Sequence, residues 1–488
     1  MQLLEKDLLQ LKSRNISPER FLEKLESILS KIKSTKIEKP CTAGDGIEVL
    51  NPLDCLRYIK LFEQREHITA SLFIPASGAA TRMFKHISAI HSFEMDQMAE
   101  EFIIHFRNFP FFPTLIQKFS EKGYSLENMI QDDQWHEIIR IMCNEISFIG
   151  LPKALIPFHN FNKQQVSALF EQVREALQYI ANKDNIHQIH FTISPEIQSE
   201  FENEITRIQE SFQNQTIQVT YSYQSPQTDT PALKHDGGLG RDKNGAIIFR
   251  PAGHGALLDN LQNISSDIIF IKNIDNIAHA KWTDEIVFYK KALGGLLLET
   301  TQETHRLLRA LDQDAESVLD EVRDFLFQNY GYQFSESFSK NKAYDLLYRP
   351  IRICGMVKNE GEPGGGPFWV MQSNGYISKQ IVEKNQIDTS DPSQNQCIAH
   401  STHFNPVDIV CSIKDHHGEH YKLKNYVDES TSFISDKFQE GQIIKALELP
   451  GLWNGSMAGW NSIFVEVPNA TFHPVKTVND LLRPGHQG

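Results

Sequence analysis

Between residues 150 and 224 the chain alternates short apolar runs with amphipathic segments: GLPKALIPF, VSALFEQVREALQYIA, IHQIHFTIS, PEIQSEFENEITRIQESF and QVTYSYQ. The first, third and fifth have the length and β-branched or aromatic content of strands, and the other two carry apolar residues at helical spacing. Strand and helix in turn predict parallel strands, because strands that run the same way need a long return path between them. The expected fold class is α/β, a mixed, mainly parallel sheet with helices on both faces. In such sheets ligands bind at loops leaving the C-terminal ends of strands. That rule selects Pro75 to Met83, Ser194 to Glu196, Gln224 to Asp229 and the segment after DIIFIKN.

Other regions read differently. Residues 1 to 45 form an expected helical cap, with Leu8, Leu11, Phe21, Leu25, Ile28 and Leu29 at helical spacing and Ser17-Pro18-Glu19 as a helix start. Residues 46 to 345 form an expected α/β domain carrying a helical insertion at about 86–150, where FRNFPFFPTL is an aromatic packing segment. Residues 346–488 are rich in strand-like runs and are expected to complete the same fold. GEPGGGP is either a loop over a site or a linker.

A chain of 488 residues with net charge -14 has no general basic surface for nucleic acid, so any phosphate contact must be local. The six cysteines show no CxxC pair and read as reduced thiols. No apolar run reaches membrane-spanning length, so the expectation is a cytoplasmic protein without membrane partners. The sequence leaves the oligomeric state open.

Two stretches carry chemistry. LFIPASGAATRMFK ends a strand-like run in small residues, then presents Thr81 and Arg82. Glycine and alanine let main-chain N–H groups approach a ligand, and the arginine fork matches phosphate oxygens. An ordinary strand-to-helix turn fits the same residues. FRPAGHGALLDNL places Gly253 and Gly255 around His254 before a helical run, and DIIFIKNIDN ends a buried strand in Lys272, Asn273, Asp275 and Asn276. A carboxylate there suits a hard divalent cation, or it caps a turn.

PASGAATRM resembles the signature loop of sugar-1-phosphate nucleotidyltransferases, and Leu151-Pro152-Lys153-Ala154-Leu155-Ile156-Pro157 resembles their Pro-Lys-x-Leu-x-Pro element. PAGHG is similar to the base-binding loop of UDP-sugar pyrophosphorylases, and IKNIDN to their metal-bearing strand end. Gly355, IVEK (Ile381 to Lys384) and LWNGSM (Leu452 to Met457) resemble the sugar-holding segments of those enzymes. Over most of residues 45–487 the chain resembles a bacterial family called domain of unknown function 4301. Departures are a helical insertion between Met83 and Pro152, Ala80 where a second glycine is usual, asparagine after Lys384, and Ser456 inside the last segment.

The resemblance implies a GT-A-like fold and a Mg²⁺-dependent transfer joining a sugar 1-phosphate to a nucleoside triphosphate, UTP favoured, with release of pyrophosphate. It implies catalytic roles for Arg82 and Lys153, nucleotide contacts from Ala76, Ser77, Gly78, Ala79, Thr81, Gln224, Gly253, His254 and Gly255, sugar contacts from Gly355, Glu383 and Asn454, and Asp275 as metal ligand. Asp408 and Asp428 are both candidates for a second metal ligand. The alternatives are a nucleotide-sugar binding protein without transfer chemistry, and a glycosyltransferase, of whose Asp-x-Asp motif Asn273-Ile274-Asp275 holds half. The histidines of THFNPVD and TFHPVKTVNDLL read as structural, Trp453 and Trp460 as core anchors, and Arg349 and Arg352 as either phosphate contacts or packing residues.

Overall fold

A computed structural model of the chain describes residues 3–29, 34–78, 80–90, 95–234, 236–314, 316–334, 338–362, 364–372, 376–439 and 442–488. The chain divides into two compact units, one of residues 1–61, 223–269 and 293–466, the other of residues 62–222, 270–292 and 467–488. This interleaving differs from the contiguous division expected at residues 45 and 345. The reason is long-range strand pairing: within the first unit, Gly46–Glu48 lies beside Asn461–Glu466.

The main sheet of the first unit runs Thr42–Ala43, Gly46–Glu48, Asn461–Glu466, Ile351–Met356 and Asp408–Ser412. The first three pairings are parallel and the last is antiparallel. Two smaller antiparallel sheets accompany it, and one of them contains Thr230–Lys234 and Gln442–Glu448. The expected strand-rich character after residue 345 is present: seven strands follow, with one α-helix, Pro392–Ala399, among the described residues.

The N-terminal helices Glu5–Ser13 and Pro18–Leu29 pack Leu11, Phe21, Leu25 and Ile28 against Leu233, Leu239, Ile247 and Leu447. Leu8 and Leu29, expected on the same face, are exposed. The cap also holds a loop. Lys24 donates to the carbonyls of Gln227, Thr228 and Asp229, and Arg14 pairs with the Asp229 carboxylate at 2.5 Å. Burial draws the Lys24 ammonium down to about 8.

In the second unit Ala70–Pro75 runs parallel to Ile186–Ile193, with Thr216–Tyr223 beyond it, and helices Ala168–Ala176 and Gln198–Ser211 follow the predicted segments. The mixed α/β fold with a mainly parallel sheet is therefore as the alternation predicts. One expected strand is different. Lys153–Leu155 is a single 3-10 turn, and Pro157–Phe161 pairs antiparallel with Gln164–Ser167 outside the parallel sheet. Proline lacks the N–H a ladder needs, so Pro152 and Pro157 confine the strand to the stretch beginning at Pro157.

The segment at 86–150 is helical as expected, built from Lys85–Ile90, Gln97–Ile104, Phe112–Glu121, Leu126–Gln131 and Trp135–Asn144. Its core is aromatic: Phe102, Phe106, Phe109, Phe111, Phe112 and Phe148 are buried together. Ala80 is buried in the same core, so the methyl that replaces the usual glycine is withdrawn from solvent. The C-terminal segment is anchored by His159, whose ring bridges Glu171 at 3.0 Å and His486 at 2.9 Å.

Buried charge in this unit is paired. Glu175 receives Lys272 at 2.5 Å and has Lys290 at 3.9 Å, all three almost inaccessible. Removing the carboxylate takes an ion-pair partner from two buried ammonium groups. Glu175→Gln is therefore expected to cost about 3 kcal/mol or more, read as a lowered Tm against wild type.

Candidate functional site

The small residues of the signature loop are spent in two ways. Ala76 is buried and its N–H donates to the Thr192 carbonyl at 2.8 Å, so it continues the strand, and that amide is not available to a nucleotide as expected. Ser77, Gly78, Thr81 and Arg82 are exposed, whereas Ala79 lies outside the described residues. A Cβ on Gly78 would meet nothing within 4 Å among the described residues, so the protein's own packing does not demand this glycine. Open backbone beside an exposed arginine is what a closely approaching anion requires.

Four segments distant in the chain are knitted around one ion pair in this unit. The Gly78 carbonyl accepts from Lys153 N at 3.3 Å, and Ala80 N donates to the Leu151 carbonyl at 2.9 Å, which sets the Pro-Lys element against the loop. Lys153 Nζ donates to Asp275 Oδ2 at 2.9 Å and to the Val475 carbonyl at 2.8 Å. Val475 N returns a bond to the Asp275 carbonyl at 2.9 Å, and Val478 N donates to the Met83 carbonyl at 3.1 Å.

The Lys153 and Asp275 side chains are only 12% and 13% exposed. Burial works against the Asp275 charge, but the ammonium groups of Lys476 and Lys153 outweigh it and hold the carboxyl below its ordinary value. An ionised carboxylate with oxygen donors only suits a hard cation such as Mg²⁺, which commonly takes one or two carboxylates plus substrate phosphates. Lys476, 3.8 Å from Asp275 Oδ2, is 58% exposed and so can meet a ligand from solvent. It escaped the sequence reading because its segment, TFHPVKTVNDLL, has no glycine turn or buried strand end of its own.

The PAGHG loop belongs to the other unit and packs on residues 449–457. Gly253 holds φ at +81°, and a Cβ on Gly255 would stand 1.9 Å from the Pro450 carbonyl, so both glycines are required by the fold itself. His254 stacks on Trp453 with ring centroids 4.2 Å apart, and its Nδ1 accepts from Leu452 N at 2.8 Å. Burial draws this imidazole down to about 4. It is therefore a neutral ring held between Trp453 and the Leu452 amide.

Asn454 is similar: it is buried, and its side-chain oxygen accepts from Gly455 N at 2.7 Å, capping a turn. Gln224 donates to Thr228 Oγ1 at 3.3 Å within its own loop. A cavity of about 590 Å³ in this unit is lined by Lys24, Thr228, Gly255, Asp259, Lys424 and Ser456, among others.

Gly355 lies in a buried strand directly opposite Asp408, which is itself buried. Glu383 accepts from Asn405 Nδ2 at 3.0 Å and stands beside a turn in which its own N–H donates to Gln386. The Asp428 carboxylate accepts from the N–H and hydroxyl of Ser430, an Asx turn that occupies one carboxylate oxygen. Arg352 is fully buried, giving Nε to Ser462 and Nη1 to the Trp453 carbonyl, so it is a packing residue and not a phosphate contact. His403 and His473 make structural hydrogen bonds, as expected.

A family model called Domain of unknown function (DUF4301) matches residues 4–487. The chain belongs to the DUF4301 family. No curated protein matches the sequence. Among solved structures, the uridine diphosphate N-acetylglucosamine pyrophosphorylase of Trypanosoma brucei, in complex with an inhibitor, is similar at TM-score 0.50 and 12% identity, covering 98% of this chain and 79% of that one. A UDP-glucose pyrophosphorylase mutant from Leishmania major, in complex with UDP-glucose, gives 0.46 and 12%, covering 98% and 78%. At that identity the likeness is one of fold. Among the described residues, no helix is long and apolar enough to cross a membrane.

Two outcomes follow from the ion pair and the stacked ring. Lys153→Met leaves a buried carboxylate short of its main partner and is expected to cost about 3 kcal/mol, most of it recovered in the double variant with Asp275→Asn, as thermal melts of the three proteins will read. His254 charges near pH 4 folded but near 6.5 unfolded, so its contribution is complete above about 6.5 and falls away as pH drops toward 4. Denaturation of wild type should therefore lose up to about 1.4 kcal/mol per pH unit more than His254→Asn across that window.

Proposed function

We propose that the chain transfers a nucleotidyl group from a nucleoside triphosphate, with UTP favoured, to a sugar 1-phosphate, releasing pyrophosphate. The single observation that supports this most is the knot of Gly78, Lys153, Asp275 and Val475, which gathers an exposed backbone turn, cations and an ionised carboxylate within a nucleotidyltransferase-like fold.

In this reading a phosphate oxygen of the sugar 1-phosphate attacks the α-phosphorus, a new P–O bond forms, and the bond to the β-phosphate oxygen breaks with its electron pair leaving on pyrophosphate. No protein nucleophile is needed, because the attacking group is already anionic; alignment and charge neutralisation are the protein's contribution. Arg82 binds the α-phosphate and the departing pyrophosphate through its fork. Lys153, held against Asp275 before substrate arrives, turns its ammonium to the sugar phosphate or α-phosphate. Lys476 adds a second ammonium at the same carboxylate. Asp275 would hold Mg²⁺, which supplies further neutralisation of phosphate charge.

Ser77, Gly78, Ala79 and Thr81 remain proposed nucleotide contacts, as does the backbone of Gly253 and Gly255 with Gln224. Gly355, Glu383 and Asn454 remain proposed for the sugar, Asn454 through the part of its amide that does not cap Gly455.

Pyrophosphate release should be measured with each nucleoside triphosphate, Mg²⁺ and a panel of sugar 1-phosphates. The expected result is release that depends on one sugar phosphate, is stopped by EDTA, and falls about 100-fold in kcat/KM for Arg82→Ala. Silence across the panel, with nucleotides still raising Tm, would replace this reading with that of a nucleotide-sugar binding protein.

A further inference from the structure

We propose that Asp312, His416 and His417 form a binding site for one zinc-class divalent ion, independent of the transfer chemistry. One ligand atom from each of these three residues lies within 4.8 Å of the others. Two imidazoles and a carboxylate are the donor set of zinc and its neighbours, whereas Mg²⁺ and Ca²⁺ prefer oxygen alone. Tetrahedral zinc with bonds near 2.0–2.1 Å places its donors about 3.4 Å apart. His416 Nε2 and Asp312 Oδ2 are already 3.0 Å apart. The other two distances close by rotation of the exposed side chains of Asp312 and His417.

The scaffold is built before any ion arrives. His416 and His417 sit in a tight turn closed by the Lys414–His420 bridge, with Gly418 at φ +84°. The Asp415 carboxylate locks it, accepting from His417 N at 2.9 Å, Glu419 N at 3.0 Å and the Tyr348 hydroxyl at 2.9 Å. Arg309 Nη1 donates to the His416 carbonyl at 3.3 Å, which fixes the end of helix Thr283–Gln313, and with it Asp312, against the turn.

The His416 side chain is fully buried while Asp312 is 43% exposed, and the buried His416 Nδ1 has no hydrogen-bond partner among the described residues. Ligation at Nε2 would take the place of its contact with Asp312, and the neutral ring would keep its one proton on Nδ1. Three protein donors leave one position for water, so the ion would clasp the helix end to the turn.

The test uses the full chain stripped of metal and titrated with ZnCl2 by calorimetry, with Co²⁺ absorption as a check on tetrahedral geometry. We expect one Zn²⁺ bound with a raised Tm, and affinity lowered about tenfold or more in His417→Ala and in Asp312→Asn. Both residues are exposed, so the metal-free variants should melt as wild type does, and His417→Gln serves as a second probe of the same position. Absence of Zn²⁺ binding in wild type would overturn the proposal. So would equal affinity in all variants, which would place the ion elsewhere.

Discussion

A lysine and an aspartate, each about seven-eighths withdrawn from water, hold the second unit's candidate site together. Removing two charges from solvent costs more than their mutual attraction returns unless every remaining donor and acceptor is met. The chain meets that condition by bringing four segments to one place: Lys153 reaches both Asp275 and the Val475 carbonyl, and the backbone around them closes onto Gly78 and Met83. The order imposed by this requirement places the exposed Lys476 beside Asp275 and leaves Arg82 exposed on the neighbouring loop.

The glycine-flanked loop of the other unit obeys a different constraint. Its conformation is dictated by close packing on residues 449–457: a side chain at Gly255 would collide with the Pro450 carbonyl, and Gly253 holds a positive φ. His254 is the wedge between them, stacked on Trp453 and bonded to Leu452 N. The N-terminal helices contribute in the same spirit, since Lys24 and Arg14 pin the Gln224 to Asp229 loop through its carbonyls and its carboxylate. Rigid loops of this kind cost less entropy when a ligand binds than loops that must be ordered at that moment.

Much of this was legible locally. The buried run IIFI, the amphipathic VSALFEQVREA and the aromatic insertion follow from periodicity, which reports burial directly. Arg82, Lys153 and Asp275 stood out because each sits at a break in such a pattern. The boundaries of GLPKALIPF were misjudged because two prolines override an apolar run. Lys476 and the pair His416-His417 were missed for another reason: their significance depends entirely on Asp275 and Asp312, residues far away in sequence, and no local spacing records that.

The amino-acid sequence alone thus determined the α/β class, the helical insertion and the residues whose chemistry suits phosphate, since hydrophobic period and residue type act over a few positions. Tertiary structure alone decided which glycines the protein's own packing demands. Gly78 and Gly255 are the same residue in similar-looking turns, yet one borders open space and the other a carbonyl 1.9 Å from where a side chain would begin. That difference is set by what long-range pairing brings opposite each turn.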